Sequence, residues 1–225
     1  MTAANELAEV GALIGDPGRA NMLLTLFDGR PHSAKELAAS AGITPQTASW
    51  HLAHLTAGHL LVAEKRGRQR YYSFASPLVA QMLETALSVA QSRRQPHCKV
   101  DEALRTARTC YDHLAGKLGV AVADALVRRR CVVRSGDGGV LTASGSDFLA
   151  GFGIDLQAAA GRKRIFCRPC LDWTERRPHI AGSVGAAITT RCFELGWIER
   201  ARHGRTVSIT PAGRRGFADS LGLTL

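Results

Sequence analysis

The sequence predicts a mainly α-helical fold with small β-hairpin wings, and three observations predict it. Residues 33–57 hold two capped helices joined by a glycine turn. A basic hairpin follows over residues 59–74, and beyond residue 100 a set of helix and hairpin signals occurs twice. Together these give a winged helix-turn-helix followed by two degenerate winged-helix-like repeats. The domains expected are residues 1–95 and 100–225, the second dividing at about 100–160 and 165–225.

The elements follow in order. Glu6 to Ile14 reads as a short helix carrying Leu7, Val10 and Leu13, and Asp16-Pro17-Gly18 breaks it. Asp16 caps the next helix, Pro17 suits its first turn, and that helix runs to about Phe27. Ser33-Ala34-Lys35-Glu36 is a capping box, and its helix ends near Ala41-Gly42. Thr44 caps and Pro45 opens the following helix, which runs to about Ala57.

This last helix sorts by face. Ala48, Leu52 and Leu55 should pack inward, leaving Gln46, Thr47, Ser49, Trp50, His51 and His54 partly or wholly outward. Gln, Thr and Ser reach base edges or phosphates, and the start of such a helix points into the major groove. Trp50 is either half-buried on the scaffold or in contact with thymine methyls and sugars. His51 and His54, three apart without a neighbouring cysteine or carboxylate, suit scaffold or phosphate contacts better than a metal. His59–Glu64 and Tyr71–Phe74 are strands around the basic turn Lys65, Arg66, Gly67, Arg68, Gln69, Arg70, a wing for the phosphate backbone or minor groove. From Ser76-Pro77 a final helix carries a broad apolar stripe, Leu78, Val79, Met82, Leu83, Ala86, Leu87 and Ala90, which calls for a partner subunit or the C-terminal region.

Leu13-Ile14-Gly15-Asp16-Pro17-Gly18-Arg19, Lys35-Glu36-Leu37-Ala38, Ile43 to Leu52 and Arg66 to Tyr72 resemble, in this order, the arsenic-repressor (ArsR/SmtB) family. The resemblance covers residues 6–90. It implies a homodimeric repressor that binds double-stranded DNA at an imperfect palindrome and leaves when an inducer, often a metal ion, binds. The candidate DNA contacts are Thr44, Pro45, Gln46, Thr47, Ser49, Trp50, His51, Lys65, Arg66, Arg68 and Arg70. The sequence departs from the family at both of its common metal sites. Ala34–Ala41 lacks paired cysteines, and residues 77–92 lack the Asp/His/Glu ligand set. Sensing is therefore expected elsewhere.

Past the polar stretch Gln91–Pro96, Cys110-Tyr111-Asp112-His113-Leu114-Ala115-Gly116 is matched by Cys170-Leu171-Asp172, an insertion, and His179-Ile180-Ala181-Gly182. Leu141-Thr142-Ala143-Ser144-Gly145 is matched by Ile209-Thr210-Pro211-Ala212-Gly213. Each copy reads as helix, helix, hairpin, helix, with His113 and His179 opening matching helices as caps or core residues. The first hairpin, Cys131–Leu141, turns through Gly136-Asp137-Gly138-Gly139 and the second, Trp197–Ile209, through His203-Gly204. The glycine- and alanine-rich helices suit a sensor or scaffold better than a DNA reader.

Cys167-Arg168-Pro169-Cys170 is the main candidate for chemistry. As a zinc site it needs two further ligands, which Cys110 with His113 or His179 would supply if the copies face one another. As a redox pair, its thiols would be acidified by Arg162, Lys163, Arg164 and Arg168. As a bland alternative, Cys110 and Cys170 are small buried residues at equivalent positions. The insertion Asp172–Arg177 is a solvated surface or an effector loop, with Trp173 as an aromatic wall and Arg176 or Arg177 gripping an anion. The cofactor expectation is accordingly a metal ion or none.

Bulk properties agree. Net charge is +10 and pI about 9.9, favouring a polyanionic partner. Residues 1–95 carry 9 Lys+Arg against 7 Asp+Glu, and residues 96–225 carry 20 against 12, so most of the excess lies outside the reader. No secretion signal opens the chain and no apolar run approaches the roughly 20 residues that span a bilayer, so no membrane partner and a cytoplasmic location are expected. All six cysteines follow residue 95 and are expected as thiols. No nucleophile elbow, phosphate loop or zinc-protease motif points to an enzyme. The alternatives are a thiol-redox or metal-handling protein using Cys167 and Cys170, and an architectural DNA binder using all three winged units.

Overall fold

A computed structural model describes residues 2–92, 101–135, 138–160, 165–202 and 204–225. The linker residues 93–96, Cys98, the turn Gly136-Asp137, the cations Arg162, Lys163 and Arg164, and His203 lie outside the described residues. The chain divides into two compact units, Met1–Leu83 and Glu84–Leu225.

The first unit is built from local signals. Helices α1 (Ala3–Ile14) and α2 (Pro17–Thr25) are separated by Asp16, whose side chain accepts from Arg19 N at 2.8 Å. Arg19 in turn donates to the last carbonyls of α1, Leu13 at 2.6 Å and Ala12 at 2.8 Å, satisfying acceptors that a helix end leaves free. After a 3₁₀ turn (Leu26–Asp28) and β1 (His32–Ser33) comes α3 (Ala34–Ala41), which begins with the complete Ser33–Glu36 capping box. Gly42, at φ 66°, turns the chain toward α4 (Pro45–Ala57), where Thr44 caps through its hydroxyl. Strands β2 (Leu61–Arg66) and β3 (Gln69–Phe74) pair antiparallel from Leu61↔Phe74 to Arg66↔Gln69, leaving Gly67-Arg68 at the tip, and β1 joins the far side of β3. Met22, Leu26, Leu37, Ala48, Leu52 and Leu55 are almost wholly buried, and Phe27 meets Phe74 edge-on at 5.3 Å. Asp28 is buried beneath this core. Burial works against its charge, but His32 at 2.8 Å and the Arg30 amide at 2.9 Å outweigh it and hold its pKa below the ordinary 3.8. The division between units falls within α5 (Pro77–Ser92), earlier than the polar stretch from which a break at residue 95 was expected.

The second unit starts with a short α6 (Glu102–Thr106). It then runs through β4 (Arg108–Cys110), β5 (His113–Ala115), α7 (Gly116–Arg128), β6 (Val132–Ser135), β7 (Gly138–Leu141), α8 (Ala143–Gly151) and α9 (Leu156–Ala160). It continues with β8 (Arg168–Leu171), β9 (Pro178–Ala181), α10 (Gly182–Glu194), β10 (Ile198–Arg200), β11 (Val207–Ile209) and α11 (Pro211–Leu221). The order hairpin, helix, hairpin, helix therefore occurs twice, at β4–α8 and at β8–α11. In the second stretch the expected leading helix is corrected to a hairpin, and in the first a hairpin stands between the short α6 and α7. His113 and His179 lie on β5 and β9, one strand before the helices they were expected to open.

The two stretches share small details of backbone chemistry. Gly116 and Gly182 enter their helices at φ 74° and 81°, and a Cβ at either would sit 2.5 Å from a carbonyl oxygen, of Arg105 or Ile165. Thr142 and Thr210 cap α8 and α11 by accepting from Gly145 N at 3.0 Å and Gly213 N at 2.9 Å. Helices α7, α10 and α11 contribute Leu118, Val122, Leu126, Val184, Ile188 and Phe217 to one apolar core.

Gly119 on α7 and Gly185 on α10 let the opposite hairpin approach. A Cβ at Gly119 would lie 3.5 Å from His179 Cβ, and one at Gly185 3.2 Å from His113 Cβ. The Gly185 position is also 2.2 Å from the Ile180 carbonyl oxygen, and backbone on both sides has nowhere to retreat. Gly185→Ala is expected to cost about 1–3 kcal/mol by overpacking. Gly151→Ala, with nothing within 4 Å, should leave stability unchanged or raise it. Urea melts followed by tryptophan fluorescence separate the two; equal midpoints would refute the close approach.

Candidate nucleic-acid interface and metal centre

On α4 the buried and exposed residues divide as a reading helix requires. Ala48, Leu52 and Leu55 are wholly buried, while Gln46, Thr47, Ser49, Trp50 and His54 are exposed. Thr44 and Pro45 at the helix start are exposed as well, so free amides and a polar rim point outward together. Ser49 donates to the Pro45 carbonyl at 2.9 Å, and Thr47 Oγ1 lies 2.9 Å from Thr44 Oγ1. Trp50 is 56% exposed, with its ring packed against His54 at 4.0 Å and the Arg19 guanidinium 6.0 Å from its centre.

His51 corrects its expected placement. It is 6% exposed and turned inward, with Nδ1 3.3 Å from Arg19 Nη1 and Nε2 3.5 Å from Asp16. It fastens α4 to the α1–α2 corner.

In the wing, Lys65, Arg66, Arg68 and Arg70 are all exposed. Arg66 is engaged already, paired with Glu64 at 2.8 Å and 5.5 Å above the Tyr71 ring. Among the described residues no ion pair holds Lys65, Arg68 or Arg70. Between α3, α4 and the wing lies a groove of about 690 Å³ whose lining includes Lys35, Ser49, Gln69 and Arg70.

A second constellation lies in the other unit. Cys110 and His113 stand directly opposite one another across β4–β5, as Cys170 and His179 do across β8–β9. The four side chains converge. Their sulfur and ring nitrogen atoms all lie within 4.8 Å of one another, and all four residues are buried. The Nε2 atoms of His113 and His179 are 3.1 Å apart. Each ring turns its other nitrogen to a carboxylate, Asp112 at 3.2 Å from His113 and Asp172 at 3.4 Å from His179. The Glu84 carboxylate touches Cys110 Sγ and lies 3.4 Å from Cys170 Sγ.

The electrostatics favour an ionised Cys170. Burial works against charge on Cys170, yet hydrogen bonds from His113 and His179 carry its pKa below the ordinary 9.0. Burial likewise opposes charge on His113, but Asp112 and Cys170 overcome it and raise the ring to about 9. Asp172 is held far below the usual carboxylate range, because the nearby His179 ring, the Arg108 charge and the Thr174 hydroxyl together overcome its burial.

Cys167 does not join this cluster. It packs in the apolar core, where burial pushes its thiol up to about 11. The expected Cys167–Cys170 pair is thus corrected to Cys110 with Cys170, and the expected acidification of Cys167 to its opposite. The described cysteines Cys110, Cys131, Cys167, Cys170 and Cys192 are free and buried. Trp173 is no open wall either: Arg108 lies over its ring at 4.8 Å and Arg205 at 5.8 Å. Arg177 is taken by Asp124 at 2.7 Å, while Arg176 is exposed in the β8–β9 turn at φ 52°. Sequence reasoning missed Glu84, Asp172 and Arg108. Of these, Glu84 left a signal as a lone carboxylate within an apolar helical stripe, and Asp172 left one as the counterpart of Asp112 in the matched Cys-x-Asp steps.

No helix among the described residues is long and apolar enough to cross a membrane. A helix-turn-helix domain family matches residues 14–64. A Bacillus subtilis protein described as the uncharacterised HTH-type transcriptional regulator YdfF is 39% identical over 222 residues, covering 97% of this chain and 98% of its own. The Mycobacterium tuberculosis HTH-type transcriptional regulator CmtR is 36% identical over 83 residues, 37% of this chain and 70% of its own. Among solved structures, the homodimeric winged helix-turn-helix domain of a possible ArsR-family regulator from Mycobacterium bovis is 26% identical. It covers 44% of this chain and 90% of its own, with a TM-score of 0.38.

Proposed function

This chain belongs to the HTH-type transcriptional regulators, and on that premise we propose that it is a homodimeric repressor which reads an imperfect palindrome through α4 and leaves it when the second unit binds an effector. The observation that carries the reading is the division of α4: one face wholly buried, the other offering Gln46, Thr47 and Ser49 beside a wing with exposed Arg68 and Arg70. Base edges in a major groove are read by such side chains, while wing cations hold the backbone in register.

A dimer is supported by apolar surface left over in the single chain. Helix α1 buries none of its residues, and Leu7 is 74% exposed. On α5, Leu78 is 71% exposed and Val89 54%. Two-fold pairing through such faces would set the two α4 helices about one DNA turn, roughly 34 Å, apart. The matching hairpin–helix–hairpin–helix stretches of the second unit support its reading as a duplicated sensor. Selection of bound duplexes from a random pool tests the proposal. Inverted half-sites spaced by one helical turn are expected, and enrichment without any inverted repeat would refute the dimeric reader.

A further inference from the structure

We propose that Cys110, His113, Cys170 and His179 form a tetrahedral thiolate–imidazole site for a single Zn²⁺-class cation. The site lies in the second unit and stands whether or not the chain represses.

Four arguments carry it. First, the donor set is the two-sulfur, two-nitrogen set that selects zinc over harder cations. Second, the spacing fits. Two imidazole nitrogens bound to one zinc at about 2.0–2.1 Å sit about 3.3 Å apart in a tetrahedron. The two Nε2 atoms here are 3.1 Å apart with both sulfurs close by, so all four donors face one point. Third, each histidine is oriented as a ligand. Nε2 faces the cluster and Nδ1 faces an aspartate, the arrangement by which a carboxylate fixes the ring of a metal-bound histidine. Fourth, the site is built twice over. Each hairpin supplies one cysteine and one histidine from directly opposed positions, and glycines at 119 and 185 open room for the histidine of the other hairpin. A disulfide would use the two sulfurs and leave this matched pair of histidines without a role.

Four buried ligands close the coordination shell, so the ion would tie hairpin β4–β5 to hairpin β8–β9 rather than activate a substrate. Both thiol protons, and any proton on the two ligating Nε2 atoms, must be released to solvent on binding. No electron is transferred in that exchange.

The test uses the reduced full-length protein stripped of metal and titrated with Co²⁺, whose tetrahedral complexes with thiolate are coloured. One ion per chain is expected, with thiolate-to-cobalt charge-transfer absorption, tetrahedral d–d bands, and loss of both when Zn²⁺ is added. Cys110→Ser, Cys170→Ser and His179→Asn should each abolish the bands. Asp112→Asn should weaken binding about 10–100-fold, as loss of a supporting carboxylate does. Cys167→Ser should bind as the parent does. The unsubstituted protein decides the matter even if a variant fails to fold. Absence of the bands in that reduced protein would overturn the proposal. So would loss of the bands in Cys167→Ser with their survival in Cys170→Ser. Formation of a Cys110–Cys170 disulfide on exposure to dissolved oxygen, in a protein that takes up no cobalt when reduced, would overturn it in favour of a redox pair.

Discussion

Asp172→Ala should destabilise the second unit by about 3–5 kcal/mol, the usual cost of stripping one partner from a buried ion pair. Asp172 and Arg108 are both wholly buried, and Arg108 Nη2 donates to Oδ1 at 2.9 Å. The same oxygen accepts from Thr174 N at 2.9 Å, Thr174 Oγ1 at 2.7 Å and Glu175 N at 3.1 Å, while Oδ2 accepts from Gly116 N at 2.6 Å. One carboxylate therefore fixes the β8–β9 turn, anchors the first residue of α7 and neutralises a guanidinium that has no route to water. Its removal leaves that charge buried beside Thr174, the Leu104 carbonyl and the Trp173 face, none of which neutralises it. Urea unfolding read through Trp173 and Trp197, both in this unit, supplies the measurement. The internal comparison is Asp112→Ala, the counterpart in the first stretch. Its side chain is 26% exposed, and it should cost far less. Removing Arg108 as well should recover part of the loss, since a pair in contact is not additive. A cost under about 1 kcal/mol for Asp172→Ala would show that the network is not what orders this unit.

The contrast between Asp172 and the reader shows where the sequence is informative. The first unit was legible because its signals are local and redundant: a capping box at Ser33–Glu36, a threonine and proline at residues 44–45, a glycine between them, and a hairpin with a two-residue tip. Each depends on neighbours within four residues. The inward turn of His51 was legible too, since residues 48, 51, 52 and 55 share one face at a period of 3.6; its polarity argued against its position. In the second unit the strands are three or four residues long, too short for alternation to declare itself. His113–Ala115 therefore passed for the start of a helix. The Cys-x-x-Cys spacing misled for a related reason. Along an extended chain, residues three apart face opposite ways, so Cys170 enters the cluster while Cys167 turns to the core. The ligand pairing runs across strands and between two stretches some 60 residues apart, and no local rule reports that. The matched Cys-x-Asp steps were the only trace of it.

Gln46→Ala combined with Thr47→Ala should abolish discrimination between operator and unrelated DNA while leaving residual affinity intact. The two residues lie exposed in the first turn of α4, at the end expected to meet base edges, and neither supports the core. Each good base contact carries about 1–3 kcal/mol of discrimination, and a two-fold dimer makes each contact twice. The Thr44 cap, whose hydroxyl accepts from Thr47 N at 3.2 Å, persists after the change, so loss of the helix is not an alternative explanation. Wing substitutions should behave in the opposite manner. Arg68→Ala and Arg70→Ala should weaken operator and unrelated DNA alike and flatten the dependence on salt by about 0.9 in log–log slope for each phosphate no longer neutralised. Arg66→Ala should do less, because its guanidinium is already held by Glu64 and Tyr71 and would have to leave them to reach a phosphate. Fluorescence anisotropy on operator and scrambled duplexes across a salt series separates the three results. Unchanged specificity in the α4 double variant would remove α4 as the reader, and a slope indifferent to Arg68 and Arg70 would remove the hairpin as a wing.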